Sequence, residues 1–128
     1  MVLPEEPRGY QRLRVWSKAM DLVVAVYGAV QQFPPHERYG LATQMRRAGC
    51  SIPSNIAEGY GRSSRREYLR FLAIANGSLL ELETQVLLAA RVGYLTEDQT
   101  AVLLALTSEV GRMLARMTTA MRAWKPTA

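Results

Sequence analysis

Few residues in this chain have types and spacings that could do chemistry. Arg47, Ser51, Asn55 and Glu58 recur at intervals of 4, 4 and 3, so on a helix they share one face. Glu81 and Glu83, in a later helical segment, are placed to meet Arg46 or Arg47 across a helix contact. Two carboxylates such as Glu58 and Glu81 in one cleft could act as general acid and base if the cleft held one of them protonated, the pattern of a hydrolase or transferase. No nucleophile, metal ligand or cofactor loop accompanies them. The preferred reading of Arg46, Arg47, Ser51, Asn55, Glu58, Glu81 and Glu83 is therefore structural: a buried network of hydrogen bonds and ion pairs that fixes helix register or a subunit contact.

Other chemistries find less support. Cys50 is the one cysteine and His36 the one histidine. His36 follows Pro34-Pro35 in a loop, whereas Cys50 lies inside an apolar pattern, so both read as structural. A lone thiol excludes an intramolecular disulfide and a thiolate-rich zinc site, and it fits a reducing compartment. A di-metal carboxylate bundle needs Glu-x-x-His, and no Glu here is followed by His at that spacing. Gly59-Tyr60-Gly61 lacks the third glycine or Lys-Ser/Thr of a phosphate loop and reads as a helix cap with left-handed backbone positions. No cofactor is expected.

The basic residues are more informative. Lys and Arg number 16 against 11 Asp and Glu, a net charge of +5, and arginine dominates. Arginine favours planar contacts to phosphate or carboxylate. Arg62, Arg65, Arg66 and Arg70 flank the start of one helical segment, and Arg112, Arg116, Arg122 and Lys125 line another. Arg8, Arg12, Arg14 and Lys18 form a third group. Such runs are commonly solvated faces; as a contact surface for an anion or nucleic acid, the candidates are Arg62, Arg65, Arg66, Arg70, Arg112 and Arg116.

Four helical patterns must position these residues. The first spans about 11–33 and carries two adjacent apolar stripes: Leu13, Trp16, Met20, Val23, Tyr27, Val30, and Val15, Ala19, Leu22, Val26, Ala29, Phe33. Pro34-Pro35 ends it. The second spans about 37–59, with Leu41, Met45, Ala48, Ile52 and Ile56 on one face and Pro53 inside, which predicts a kink or interruption. Ser64 to Glu67 reads as a capping box for the third, whose stripe is Tyr68, Leu72, Ala75, Leu79, Leu82, Val86 and Ala89, with Gly93 as C-terminal cap. Thr96 to Gln99 is a second capping box. It opens the fourth helix, with Leu103, Leu106, Val110, Met113, Met117, Ala120 and Trp124 at heptad spacing.

Short loops between long helices force antiparallel neighbours, so the fold class is all-α, an up-down-up-down antiparallel four-helix bundle over residues 10–125 with tails at 1–9 and 126–128. A chain of 128 residues, 48% apolar, is one domain by size. Its charge-free runs fall short of the ~20 residues of a membrane span, and its N-terminus lacks a signal-peptide pattern, so a cytoplasmic protein with no membrane role is expected. The third helix is apolar on more than one side. That excess predicts self-association.

The motifs Leu13-Arg14-Val15-Trp16-Ser17-Lys18-Ala19, Phe33-Pro34, Tyr39-Gly40-Leu41, Gln44-Met45-Arg46-Arg47-Ala48, SIPSNIAEG at Ser51–Gly59, Gly61-Arg62 and GSLLELET at Gly77–Thr84 closely resemble the four-helix-bundle proteins encoded in intervening sequences of bacterial 23S rRNA genes. The resemblance covers about residues 10–124. It implies a small cytosolic homopentamer of bundles packed side by side, with no established enzymatic activity and no catalytic residues. The family is also similar to the accessory variability determinants of diversity-generating retroelements, basic pentamers that bind nucleic acid and a reverse transcriptase. On this basis Pro53 and Gly59 are expected to shape the second helix, and the partners expected are further copies of the chain together with RNA, DNA or an acidic protein. The alternative is a purely structural or protein-interaction pentamer in which the arginines pair with acids of neighbouring subunits.

Overall fold

The computed structural model describes residues 9–124; residues 1–8 of the expected N-terminal tail, Arg8 among them, the tail at 126–128 and Lys125 lie outside the described residues, while Gly9 belongs to a 3₁₀ turn. Four α-helices, α1 (Arg14–Val30), α2 (Leu41–Tyr60), α3 (Arg65–Arg91) and α4 (Glu97–Ala123), follow one another, with 3₁₀ turns at Gly9–Arg12 and Pro35–Glu37. Among the described residues there is no strand. Each helix packs on its sequence neighbours and α4 closes the ring on α1, with no diagonal pairing. Across α2 and α3 the facing pairs run Gly49–Leu82, Ser51–Ser78 and Gly59–Phe71, numbers rising on one helix as they fall on the other. Lys18–Glu109 and Gln32–Gln99 show the same reversal for α1 and α4. The molecule is an antiparallel four-helix bundle.

The two stripes of α1 divide the work unequally. Val15, Ala19, Leu22, Val26, Ala29 and Phe33 are all buried, while Met20 and Tyr27 of the other stripe are exposed. On α3 the expected stripe is the core from Leu72 to Ala89, joined by Phe71; Ile74, Leu80, Leu87 and Leu88 stay exposed. On α4 the buried seam is Leu103, Thr107, Val110 and Leu114. Leu103 and Val110 of the expected heptad lie in that seam, whereas Leu106, Met113 and Met117 only flank the core, with Thr107 and Leu114 buried beside them, and Trp124 is exposed. Thr107 is tolerated there because its hydroxyl donates to the Leu104 carbonyl at 3.0 Å, which removes the cost of burying it bare. In length and hydropathy α3 reaches what a membrane span requires; its seam from Phe71 to Ala89 packs on the other helices, while Ile74, Leu80, Leu87 and Leu88 do not.

Helix ends follow local chemistry. α1 starts at Arg14, after the 3₁₀ turn, and α2 starts at Leu41, not near Glu37. Pro34 and Pro35 hold Glu37 in a 3₁₀ turn, from which its carboxylate reaches forward to the Leu41 amide at 3.3 Å. α2 continues through Pro53 to Tyr60, so the expected interruption does not occur. Gly59 and Gly61 are not left-handed: the only positive φ among the described residues is that of Gly93, at 85°. Gly59 is instead helical and buried, because a Cβ there would stand 2.8 Å from the Cβ of Phe71. It is small so that α2 and α3 can approach.

At the end of α3, Tyr94 N–H donates to Ala89 O at 2.9 Å and Gly93 N–H to Ala90 O at 3.1 Å, a Schellman cap built on Gly93. The Thr96/Gln99 box of α4 is complete in both directions. That of α3 is half made: Ser64 Oγ accepts from the Glu67 amide, while the Glu67 carboxylate turns to Arg70 at 3.2 Å. The stronger, charged partner wins the side chain.

Candidate functional site

The polar face of α2 is divided in the structure. Ser51 Oγ meets Ser78 Oγ at 2.8 Å across the α2–α3 contact, and Asn55 Nδ2 donates to both the carbonyl and the hydroxyl of Ser51, at 2.8 and 2.9 Å. Ser78, in the Gly77–Thr84 motif, completes a three-residue cluster that sequence spacing did not reveal. Arg47 and Glu58 are exposed and stand apart from it. Arg46 donates to the Arg38 carbonyl at 3.2 Å and to Thr43 Oγ1 at 3.1 Å, and its guanidinium lies 5.9 Å from the Tyr27 ring centre. Glu81 accepts from Gln85 Nε2 at 3.4 Å.

Among the described residues no ion pair joins Arg46 or Arg47 to Glu81 or Glu83. The reason is angular. Glu81 and Glu83 stand about 100° to either side of Leu82, the residue that faces α2, so neither points along the contact. Neither Glu58 nor Glu81 lines any of the five principal cavities among the described residues.

Cys50 and His36 are likewise not brought together. Cys50 Sγ lies 3.6 Å from Tyr27 Oη, and this contact raises the Tyr27 pKa. His36 Nε2 is 3.3 Å from Tyr94 Oη, which itself donates to Glu37 Oε2 at 2.9 Å. With its proton on Glu37, the tyrosine oxygen is left to accept from the imidazole. The Leu41 amide first, and the Tyr94 hydroxyl second, hold the Glu37 carboxyl below its ordinary pKa; the same hydrogen bond raises that of Tyr94. This cluster ties the α1–α2 and α3–α4 connections together. Among the described residues no group of three or more His, Cys, Asp or Glu side chains is placed to hold a metal.

The arginines show a clear organisation. The antiparallel order brings the start of α1, the end of α2, the start of α3 and the end of α4 to one end of the bundle. Divided at the helix midpoints, that end holds Arg12, Arg14, Lys18, Arg62, Arg65, Arg66, Arg70, Arg112, Arg116 and Arg122 against Asp21, Glu58 and Glu67, a net +7 among the described residues. The other end holds Arg38, Arg46, Arg47 and Arg91 against Glu37, Glu81, Glu83, Glu97, Asp98 and Glu109, a net −2. All six expected contact arginines belong to the basic end.

They are not equivalent. Arg62 and Arg70 place their guanidinium carbons 4.8 and 4.6 Å from the centre of the Phe71 ring, covering this core residue, and Arg70 also pairs with Glu67. Arg65 donates to the Arg122 carbonyl at 3.4 Å and to the Trp124 carbonyl, so it caps the negative end of α4. Arg66, Arg112 and Arg116 are exposed and have no acid or carbonyl partner among the described residues. Exposed Arg14, at the start of α1, belongs with them. Nearby, Tyr68 Oη approaches Met117 Sδ at 4.0 Å, and burial pushes its phenol up to about 12.

Comparison with known proteins bears on the fold and the family. No curated protein matches the chain. Among solved structures, the crystal structure of a protein with unknown function from the S23 ribosomal protein family of Bacteroides thetaiotaomicron VPI-5482 superposes with a TM-score of 0.76 at 24% identity, covering 82% of this chain and 95% of the other. That likeness shows a common four-helix fold. The model of the 23S rRNA-intervening sequence proteins matches residues 11–116, which include α1, α2, α3 and most of α4. The chain belongs to the 23S rRNA-intervening sequence protein family.

Proposed function

We propose that this protein is a non-enzymatic binding module that presents the basic end of its bundle to the phosphate backbone of RNA or DNA. The observation that carries the proposal is the segregation of charge, +7 at one end and −2 at the other among the described residues, with Arg66, Arg112 and Arg116 exposed and unpaired there. Exposed arginines gathered at one end sum to a positive potential there, which attracts an anionic partner. Self-association belongs to the same proposal. Leu80 and Leu87, two turns apart on one flank of α3, remain exposed, as do Ile74 and Leu88 on the other flank; burying such residues between copies in the cytoplasm, five by the family resemblance, repeats the basic end around a ring.

A salt titration of binding to a mixed-sequence RNA tests the reading. Affinity should fall linearly with salt on logarithmic axes, with a slope of roughly 0.7 to 0.9 per phosphate neutralised. The double variant Arg112→Gln/Arg116→Gln should weaken binding and lower the slope by about two phosphates' worth. Arg65→Gln should lower the melting temperature with little change in slope, because its donors are engaged by α4 carbonyls. No binding at low salt sinks the proposal. It leaves the purely protein-interaction module, for which the exposed apolar flanks of α3 are the supporting observation.

A further inference from the structure

The contact between α1 and α4 is the loosest of the four around the ring, and at the basic end it opens into a groove of about 340 Å³ lined by Leu13, Arg14, Val15, Met113, Arg116 and Met117. The Lys18–Glu109 ion pair, 3.5 Å long, spans the two helices farther along. Two exposed arginines, one from each helix, thus flank an apolar floor that includes two methionines. Met113 and Met117 are partly buried against the core and sit one turn apart on α4.

We infer that this groove takes an unstacked base of a single-stranded nucleic acid, with Arg14 and Arg116 holding the adjoining phosphates. The inference rests on the nucleic-acid reading above and narrows it. Phosphate contacts alone do not explain an apolar floor between arginines. A planar base does, since its faces are apolar and polarizable, thioether sulfur makes favourable contacts with aromatic rings, and each base sits next to a negative charge. A duplex keeps its bases stacked inside and offers the groove only its backbone. The volume is at the small end of the range for ligand sites, enough for one such group.

The two readings predict opposite orders of affinity. Attraction to phosphate alone favours the duplex, whose charge density is higher; a base in the groove favours the single strand. Fluorescence anisotropy with the full chain at one fixed low salt should compare an unstructured single-stranded RNA, a duplex of the same sequence and an abasic single strand of equal length. The single strand should bind on the order of tenfold more tightly than either of the others. Met113→Ala/Met117→Ala should erase that preference and leave binding to the abasic strand unchanged, while Arg116→Gln should weaken binding to all three. If the wild-type chain binds the duplex or the abasic strand as tightly as the base-bearing strand, the groove proposal is overturned and phosphate recognition by the basic end survives. If it binds none of the three, both fall together. The wild-type comparison decides the matter even if the double methionine variant fails to fold.

Discussion

The hydroxyls of Ser51 and Ser78 meet at 2.8 Å between α2 and α3, and Asn55 donates to Ser51 from the next turn of α2. The cluster is part-buried on the closest helix contact of the bundle. Replacing Ser78 by Ala should cost about 1 kcal/mol, and Ser51→Ala somewhat more, because it also removes the hydroxyl that accepts from Asn55. The double variant should lose little beyond Ser51→Ala alone. Urea denaturation of the four proteins measures the coupling, and strict additivity of the two losses would show that the hydroxyls do not support each other.

Gly59 and Gly77 are both helical glycines with opposite expectations. A Cβ at Gly59 meets Phe71 Cβ at 2.8 Å and Tyr68 Cδ1 at 3.2 Å, whereas one at exposed Gly77 meets nothing within 4 Å. Gly59→Ala should destabilise the fold by about 1 to 3 kcal/mol as α2 is pushed off α3. Gly77→Ala should stabilise it by up to about 1 kcal/mol through helix propensity, measured on the dissociated chain. Thermal melts of the two variants should move in opposite directions, and a neutral Gly59→Ala would mean the helices are not in close contact there.

The Glu37 carboxylate, held below its ordinary pKa by the Leu41 amide and the Tyr94 hydroxyl, makes the fold sensitive to acid. The sign follows from proton binding: the unfolded chain takes up the proton first, so the stabilisation is complete above the unfolded Glu value of about 4.3 and is lost as pH falls through the lower folded value. Glu37→Gln should therefore flatten the acid limb of the stability profile, with little change in its shape near neutrality. Chemical denaturation from pH 7 down to about pH 3 reads this. An unaltered acid limb in the variant would remove Glu37 from the account.

Helix number, order and core were legible in the residues because apolar periodicity sets the buried side. The stripe from Leu72 to Ala89 on α3 is the core seam itself. Boundaries shifted where backbone chemistry outranked periodicity: two prolines draw Glu37 into a 3₁₀ turn that an apolar pattern does not record. On α4 Leu103 and Val110 were legible as seam residues, but Thr107 is polar, and Leu106 and Met113 stood in for Thr107 and Leu114, one position away. Gly59 departs from the expected cap for a related reason. Close approach and a left-handed cap both select glycine, and sequence alone does not separate them.

The candidate site was legible as types and not as partners. Arginine clusters were visible at the starts of two helices and along the last, but their convergence on one end comes from the antiparallel order of the chain. The division of labour among them, with Arg65 on carbonyls and Arg62 and Arg70 on Phe71, depends on side-chain reach across helices. The expected Arg46, Arg47, Glu81 and Glu83 pairing failed because a match in level along two helices is not a match in direction.

The two longest helices, α3 and α4, have 27 residues each and are about 40 Å long, and unequal charge at the two ends of the bundle makes it an electric dipole. In the field of a polyanion such a body experiences a torque as well as an attraction, so it turns its basic end forward before any contact forms. At physiological ionic strength that field is felt within about 8 Å, which confines the turning to the last stage of approach. Fewer encounters are then wasted on the acidic end, and association gains speed from orientation without any additional contact in the bound state.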